Sequence, residues 1–152
     1  MPDLLVSLQN VPQPTQLADN IHIELAKPWD RHTLLRWVEQ EFSPGWASEV
    51  ACGLGQHPCK VLIARQDTTL LGFACYDVTF PAFFGPTGVS ENARGKGIGK
   101  ALLLEAMQRL HYQGYVYAFI GDAGPIDFYQ HILGAVAVPE SLSGGYTPVL
   151  TP

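Results

Sequence analysis

The chain has 152 residues, of which 47% are hydrophobic and 15% charged, and its formal net charge is −5 at pH 7. This length is typical of one domain, and the charged fraction lies well below the usual ~25%, which excludes a disordered chain. The negative charge argues against a general nucleic-acid binder, and no run of 18 apolar residues is present that could span a membrane.

The first twenty residues carry only a weak pattern. Residues 4–8 alternate faintly between apolar and polar side chains before Pro12 and Pro14 interrupt any regular element. This segment is either a short extra strand at the edge of a sheet or a loose N-terminal arm. We therefore divide the chain into residues 1–20 and a single domain over residues 21–152.

From residue 21 onward, predicted strands and helices are well separated by glycine and proline. Residues 21–25 alternate with the period of a half-buried strand. Two helices are then expected, one after Asp30 that ends near residue 43 and one from Trp46 to about Leu54. A hairpin with strands at 61–64 and 70–78 follows, and then a strand at 84–90.

The second half contains the strongest helical pattern, from Gly97 to Gln113, with Gly114 as its stop. After it we expect a strand at 115–120, a helix at 125–133, a strand at 135–138 and a last short strand near 146–150. The pattern predicts an α/β domain whose mostly antiparallel mixed sheet has about six to seven strands and is flanked by about four helices.

The segment with the clearest chemical meaning is Val89–Lys100, V-S-E-N-A-R-G-K-G-I-G-K, between a predicted strand and the longest helix. Three alternating glycines, at 95, 97 and 99, leave successive backbone N–H groups unshielded at the start of that helix. Arg94, Lys96 and Lys100 add positive charge at the same point. Such a turn attracts an anion, and its size suits a diphosphate.

Two common phosphate-binding motifs do not fit these residues. A dinucleotide fingerprint would need glycine at position 100, which is Lys100. A P-loop would need glycine at position 94 and a hydroxyl at position 101, where Arg94 and Ala101 stand. A glycine-rich helix cap with solvated lysines is the interpretation without a ligand.

The hexapeptide Arg94–Gly99, R-G-K-G-I-G, resembles the R-x-x-G-x-G/A signature of the GCN5-related N-acetyltransferase (GNAT) superfamily. Val89 stands five residues before the arginine, as the strand residue of that family does. Downstream, Phe128–Ala135 resembles the F-Y-x-x-x-G-F helix end of the family. The resemblance covers residues 21–150 and implies a GNAT-like fold, with residues 21–152 as the acetyltransferase domain.

The resemblance also implies acetyl-coenzyme A as co-substrate. In this family, backbone groups at the position of Val89 pair with the pantetheine arm, and the glycine-rich turn holds the pyrophosphate. Asp122 stands where an asparagine often contacts the pantetheine, and Tyr129 matches a tyrosine that protonates the leaving thiolate. The implied coenzyme-binding residues are Val89, Arg94, Gly95, Lys96, Gly97, Gly99, Lys100 and Asp122.

The resemblance points to transfer onto the primary amine of a small molecule, by direct attack in a ternary complex. An amine must lose a proton to attack, and Glu49 is the candidate base because the helix 1–helix 2 region borders the acceptor in the resembled fold. A solvated helix glutamate fits the sequence equally well. Residues 42–49, 83–86 and 115–125 also resemble acetyltransferase domains found beside amino-sugar-processing enzymes.

Two other functions are compatible with the same motifs. One is an acyl-coenzyme A-binding regulatory module without catalysis, and the other is a protein or peptide N-acetyltransferase. Cys75 could carry the acetyl group in a two-step reaction, but its apolar strand favours an inert buried thiol. Cys52, His57 and Cys59 are spaced irregularly and lack a fourth ligand, so no metal is expected.

The cysteines and the first residues bear on the compartment. Three cysteines without C-x-x-C spacing fit a reducing environment, and the first residues lack the basic start and apolar stretch of a secretory signal. We therefore expect a cytoplasmic protein with neither nucleic acid nor membrane as partner. The low charge and the apolar C-terminal segments are compatible with a homodimer.

Overall fold

The computed structural model describes residues 1–141 and 146–152. The strands are β1 (Leu4–Ser7), β2 (Ile21–Leu25), β3 (Val61–Gln66), β4 (Thr69–Tyr76), β5 (Phe83–Val89), β6 (Tyr117–Ile120) and β7 (Val136–Ala137). The α-helices are α1 (Arg31–Glu41), α2 (Pro44–Leu54), α3 (Ile98–Tyr112) and α4 (Ile126–Leu133). Short 3-10 helices, Pro28–Asp30 and Glu91–Ala93, precede α1 and the turn before α3.

The strands form one sheet of seven, in the order β2-β3-β4-β5-β6-β1-β7. All neighbouring strands are antiparallel except β5 and β6, which run parallel. Helices cover both faces, so the predicted class is confirmed: one α/β domain with a mostly antiparallel mixed sheet and four helices.

The alternation of side chains along the central strands divides the core between the two faces of the sheet. Along β3, Leu62 and Ala64 pack with the apolar side of α3, whereas Val61 and Ile63 pack with α1 and α2. α4 lies on the same face as α3 and contacts β1. Burying one such aliphatic side chain stabilises the fold by about 1.5–3 kcal/mol, so both helix layers are held firmly.

The N-terminal residues form an inner strand of the sheet. β1 pairs antiparallel with β6, where Leu4 lies opposite Ile120, and with β7, where Leu4 lies opposite Ala137. Leu4 and Val6 are fully buried. The short extra strand expected within residues 1–20 is present, but it lies inside the sheet rather than at its edge: residues 4–7 pair with β6, and Leu4 and Leu5 also pair with β7.

The strand predicted near residues 146–150 does not form. These residues follow an irregular path, and Val149 and Leu150 are 85% and 93% exposed. Their β-rich composition suggested a strand, but a strand also needs an edge to pair with. The place beside β6 is already taken by β1, whose apolar side chains gain more by burial than those of the C-terminal segment.

A bulge interrupts β5 in its middle. Its pairing with β4 moves from Phe84 directly to Thr87, so Gly85 and Pro86 lie opposite a single residue of β4. Gly85 has a φ of +115°, a backbone conformation that residues with a side chain rarely adopt. The bulge therefore bends β5 at a position where the sequence supplies glycine.

The parallel pairing of β5 with β6 is confined to the residues before this bulge. It consists of Phe83 opposite Phe119 and Phe84 opposite Ile120, and no further pair follows. Residues 85–89 therefore have no β6 neighbour in the ladder. We call the gap between residues 85–89 and the chain that follows β6 the β5–β6 cleft.

On the face of the sheet that α1 and α2 cover, an aromatic cluster holds the α1–α2 turn against β5. The Phe42 ring stacks on Trp46 with centroids 5.3 Å apart and meets Trp37 edge-on at 5.5 Å. A Cβ placed on Gly88 would overlap the Phe42 ring. Glycine at position 88 is therefore what permits this turn to approach the cleft.

We expect Gly88→Ala to destabilise the protein by about 1–3 kcal/mol, because the added methyl group overpacks a fixed aromatic cluster. Gly55→Ala is the matched control, since a Cβ there would lie 3.5 Å from its nearest neighbour, an ordinary contact. Thermal unfolding of both variants measures the difference. Equal midpoints for the two variants would contradict the close approach at Gly88.

Candidate active site

The glycine-rich turn before α3 presents unpaired backbone N–H groups. Gly95 and Gly97 have φ values of +79° and +80°, in the left-handed region that glycine adopts without strain. α3 begins at Ile98, and no side chain caps it. Within residues 1–141 and 146–152, the N–H groups of Ile98, Gly99 and Lys100 have no acceptor. Together with the helix dipole, these N–H groups are arranged to attract an anion, and we call this group the predicted anion-binding site.

Positive side chains surround this anion-binding site. Lys96 is exposed and Lys100 is half-buried. The Nε of Arg94 donates a hydrogen bond of 3.4 Å to the carbonyl oxygen of Val89, the last residue of β5. The arginine thus ties the end of the strand to the turn, which is the geometry expected if it shapes the turn.

The structure brings seven of the eight predicted coenzyme-binding residues together around the start of α3. These are Val89, Arg94, Gly95, Lys96, Gly97, Gly99 and Lys100. Val89 also forms one wall of the β5–β6 cleft, so the anion-binding site opens into the cleft.

The eighth residue, Asp122, lies across the cleft, two residues after β6. Its backbone N–H donates a hydrogen bond of 2.8 Å to Oδ1 of Asp3, and one carboxylate oxygen lies 3.1 Å from the amino group of Met1. The N–H is therefore already engaged. A contact between Asp122 and the pantetheine stays a prediction, and it would have to be made by the carbonyl or carboxylate oxygens of Asp122 rather than by its N–H.

Tyr129, on α4, lies at the closed end of the cleft. It is 5% exposed, and its ring meets Phe84, the last β5 residue paired with β6, at a centroid distance of 6.4 Å. Burial raises the pKa of Tyr129 to about 12. In the part of the chain that the structure describes, its hydroxyl has no hydrogen-bond partner. The residue is thus a protonated donor without an acceptor, beside the cleft.

Glu49, on α2, lies on the opposite face of the sheet from Tyr129. Its carboxylate accepts a hydrogen bond from the hydroxyl of Thr79, in the loop between β4 and β5. The next residue of that loop, Phe80, contacts Phe83 edge-on at 5.3 Å. Glu49 is therefore linked to the region beside the paired part of β5 and β6, and its role as base stays a prediction.

Asp77 has a structural role in the same loop. Its Oδ1 accepts hydrogen bonds of 2.8 Å from the Tyr115 hydroxyl and from the Ala82 N–H, and its Oδ2 accepts one of 3.2 Å from Gln113. These bonds close the loop that carries Phe80. Asp77 therefore positions the loop.

Cys75 is fully buried on β4. Burial, and secondarily the Glu49 carboxylate, raises the pKa of its thiol well above the ordinary value. A buried, protonated thiol is a poor nucleophile. The structure thus agrees with the expectation of an inert core cysteine and gives no support to an acetyl-cysteine intermediate.

Three residues near the cleft were not identified from the sequence. The hydroxyl of Tyr146 donates a hydrogen bond of 2.6 Å to Oδ1 of Asp3, and its ring stacks on Phe80 at 5.6 Å. Burial first, and then the bond to Asp3, raises the pKa of Tyr146, so its hydroxyl remains a donor. No local pattern could have joined residues 3, 80 and 146, because only the tertiary fold brings them together.

The profile described as the acetyltransferase (GNAT) family matches residues 19–135, more than half of the chain. The protein therefore belongs to the GNAT acetyltransferase family, and the resemblance seen in the motifs is confirmed. No curated protein sequence matches this one.

Solved structures support the same fold. A GCN5-related glucosamine N-acetyltransferase region of a fungal multi-domain GH3 β-N-acetylglucosaminidase is 19% identical with a TM-score of 0.71, over 90% of this chain and 19% of that one. A GCN5-related N-acetyltransferase from Sphaerobacter thermophilus is 19% identical with a TM-score of 0.72, over 90% of this chain and 48% of that one.

A GNAT family acetyltransferase from Brucella melitensis, solved in complex with acetyl-CoA, is 22% identical with a TM-score of 0.57, over 74% of this chain and 82% of that one. The present chain thus spans about a fifth of the fungal protein and about half of the Sphaerobacter protein. At these identities, the likenesses establish the fold alone.

Two further properties concern membranes and metals. No helix in residues 1–141 and 146–152 is both long and apolar enough to cross a membrane. Across the same described residues, no three His, Cys, Asp or Glu side chains are grouped so that they could hold a metal ion.

We expect Gly99→Val to weaken acetyl-CoA binding by at least about tenfold, because a branched side chain would fill the space between α3 and β5 and displace the phosphates from their N–H donors. A Cβ at Gly99 would lie 3.7 Å from Val89, an ordinary contact, so the fold should tolerate the change. Titration calorimetry measures the affinity.

Gly45→Val is the matched control, because Gly45 is the second residue of α2 just as Gly99 is the second residue of α3. Its affinity for acetyl-CoA should equal that of the wild type. Unchanged binding in folded Gly99→Val would contradict the assignment of the anion-binding site.

Proposed function

We propose that the protein transfers an acetyl group from acetyl-CoA to the primary amine of a small molecule, by direct attack in a ternary complex. The observation that carries the proposal is the β5–β6 cleft, which has the anion-binding site at its open end and Tyr129 at its closed end. Within the proposal, acetyl-CoA and the amine are the partners, and the three free cysteines support a cytoplasmic location.

The cleft suits an extended thioester. Its pyrophosphate would rest on the N–H groups of Ile98, Gly99 and Lys100, and its pantetheine arm would run along residues 85–89, whose β6-facing side has no strand neighbour. The sulfur would then lie near Phe84 and Tyr129. This path orients the acyl group at the point where the two strands separate.

The proposed reaction has a simple balance of bonds. The amine nitrogen attacks the thioester carbonyl carbon, the new C–N bond forms, and the C–S bond breaks with its electron pair on sulfur. The amine proton passes to a base, for which Glu49 is the proposed group, directly or through water. The departing sulfur accepts a hydrogen bond from Tyr129.

Burial affects Tyr129 in two ways. With a pKa of about 12, its phenol stays protonated through the whole range in which enzymes are assayed. It is also a weaker acid than an ordinary thiol, whose pKa is ~8.5. Stabilisation of the forming thiolate by hydrogen-bond donation is therefore favoured over complete proton transfer, and the sulfur takes its proton finally from solvent.

An amino sugar is the acceptor that we propose within the class of small amines. One structural neighbour is described as a glucosamine N-acetyltransferase region, and residues of this chain resemble such domains. Exposed aromatic side chains beside the cleft support the same class, because amphipathic rings bind surfaces that are partly apolar.

Tyr129→Phe should lower kcat by about 10²–10³-fold, because the forming thiolate loses its hydrogen-bond donor, while the Kd for acetyl-CoA stays unchanged. Tyr112→Phe is the matched control on an exposed tyrosine and should keep full activity. Turnover on a panel of primary amines, with free thiol as the readout, measures both variants.

The wild-type rate should show no loss attributable to Tyr129 below about pH 11, because the phenol is protonated below its pKa of about 12.

Tight acetyl-CoA binding without turnover of any amine would support a regulatory module rather than an enzyme. Turnover restricted to peptide amines would support a protein N-acetyltransferase.

Glu49→Gln should lower kcat/KM, because the amide cannot accept the amine proton. The amide still accepts the Thr79 hydrogen bond, so the loop stays in place. Glu39→Gln, on the exposed surface of α1, serves as the control. A kcat/KM of Glu49→Gln equal to that of the wild type would exclude Glu49 as the base.

A further inference from the structure

Tyr146 lies outside the part of the chain that matches the family, which ends at residue 135. Gly121 is the first residue after β6. A Cβ atom placed on it would lie 3.0 Å from the Tyr146 hydroxyl and 3.2 Å from the Phe83 ring. Gly121 directly follows the last pair between β5 and β6. The hydroxyl of Tyr146 is therefore at the point where the two strands separate.

The two tyrosines beside the cleft lie on opposite faces of the sheet. Phe84 and Ile120 belong to the core that contains Tyr129, on the α3 face. Side chains alternate along a strand, so Phe83 and Phe119 point to the other face, where their rings stack at 5.2 Å. Tyr146 lies above this second face.

Among the residues that the structure describes, the side chains at this point are more exposed on the second face. On the α3 face, Phe84 and Tyr129 are 3% and 5% exposed, whereas Phe80 and Tyr146 on the second face are 45% and 40% exposed. An amine that approaches an acyl group in the cleft from the second face would pass Phe80 and Tyr146.

These two rings are held firmly despite their exposure. Phe80 packs edge-on against Phe83 at 5.3 Å, and Tyr146 is held by its hydrogen bond to Asp3. The rings are stacked 25° from parallel. A fixed aromatic surface of this kind binds a molecule that offers an apolar ring face, and its partial negative charge also attracts an ammonium group.

We propose that Tyr146 and Phe80 are specificity-determining residues of the acceptor site, on which the pyranose ring of an amino sugar stacks. An amino sugar has both a C–H face for the rings and an ammonium group that they attract, and its hydroxyls can donate to the remaining lone pairs of Asp3. This inference rests on the proposed function, since it assigns the substrate class of that same site.

The test is titration calorimetry of D-glucosamine into the protein saturated with coenzyme A. Tyr146→Ala and Phe80→Ala should each weaken glucosamine binding by about tenfold, because one ring of the stacked pair offers its outer face to the sugar and the other holds that ring in place. Tyr146→Phe keeps the ring and should change the affinity by less than about threefold. Coenzyme A affinity should be equal in all variants, which shows that each is folded.

Tyr117→Ala is the matched control, because Tyr117 is 54% exposed on the same face of the sheet but further from the cleft. It should bind glucosamine like the wild type. Equal glucosamine affinity in Tyr146→Ala, Phe80→Ala and the wild type would overturn the inference. No glucosamine binding to the coenzyme-loaded wild type would overturn it as well.

Turnover of the amine panel separates this inference from the proposed function. Acetylation of other amines without glucosamine binding would leave the function standing and overturn the inference. Glucosamine binding that depends on Tyr146, without turnover of any amine, would support the acceptor site and contradict catalysis.

Discussion

The bulge in β5 is the feature on which the rest of the site depends. A sheet of parallel neighbours would normally continue its hydrogen bonds from strand to strand, and no ligand could reach the backbone. Here the extra residue at Gly85–Pro86 turns β5 away from β6 after two residue pairs. The separated strand edge, the start of α3 and Tyr129 of α4 then all border one gap. The chemistry of the protein is located where its sheet is incomplete.

The sheet also separates the tasks of the site between its two faces. One face carries α3, α4 and the buried Tyr129, in surroundings that keep a phenol protonated. The other carries the α1–α2 turn, Glu49 and the exposed rings of Phe80 and Tyr146. The leaving thiolate would thus lie on the buried face of the sheet, and the attacking amine would approach from the face that is exposed to water.

What the sequence predicts well is encoded locally. The turn from Arg94 to Lys100 and the helix after it are specified by glycine spacing and apolar periodicity, and the structure has both where expected. The position of residues 4–7 and the absence of a strand at 146–150 depend instead on competition for one edge of β6, which no local pattern records. Tyr146 was missed for the same reason, because its partners are distant in sequence. The roles of Glu49 and Asp122 remain predictions, since they depend on a bound substrate.

The inner position of β1 has a consequence for how the chain reaches its native state. Leu4 pairs with Ile120 and with Ala137, so the first strand joins partners from the far end of the chain. Closing so long a loop is slow, and during synthesis β1 leaves the ribosome before β6 and β7 and stays unpaired until both have followed it. Until then its apolar side chains are exposed to solvent. The longest separation in sequence is thus closed last, and β6, the strand beside the cleft, gains β1 as its second neighbour only then.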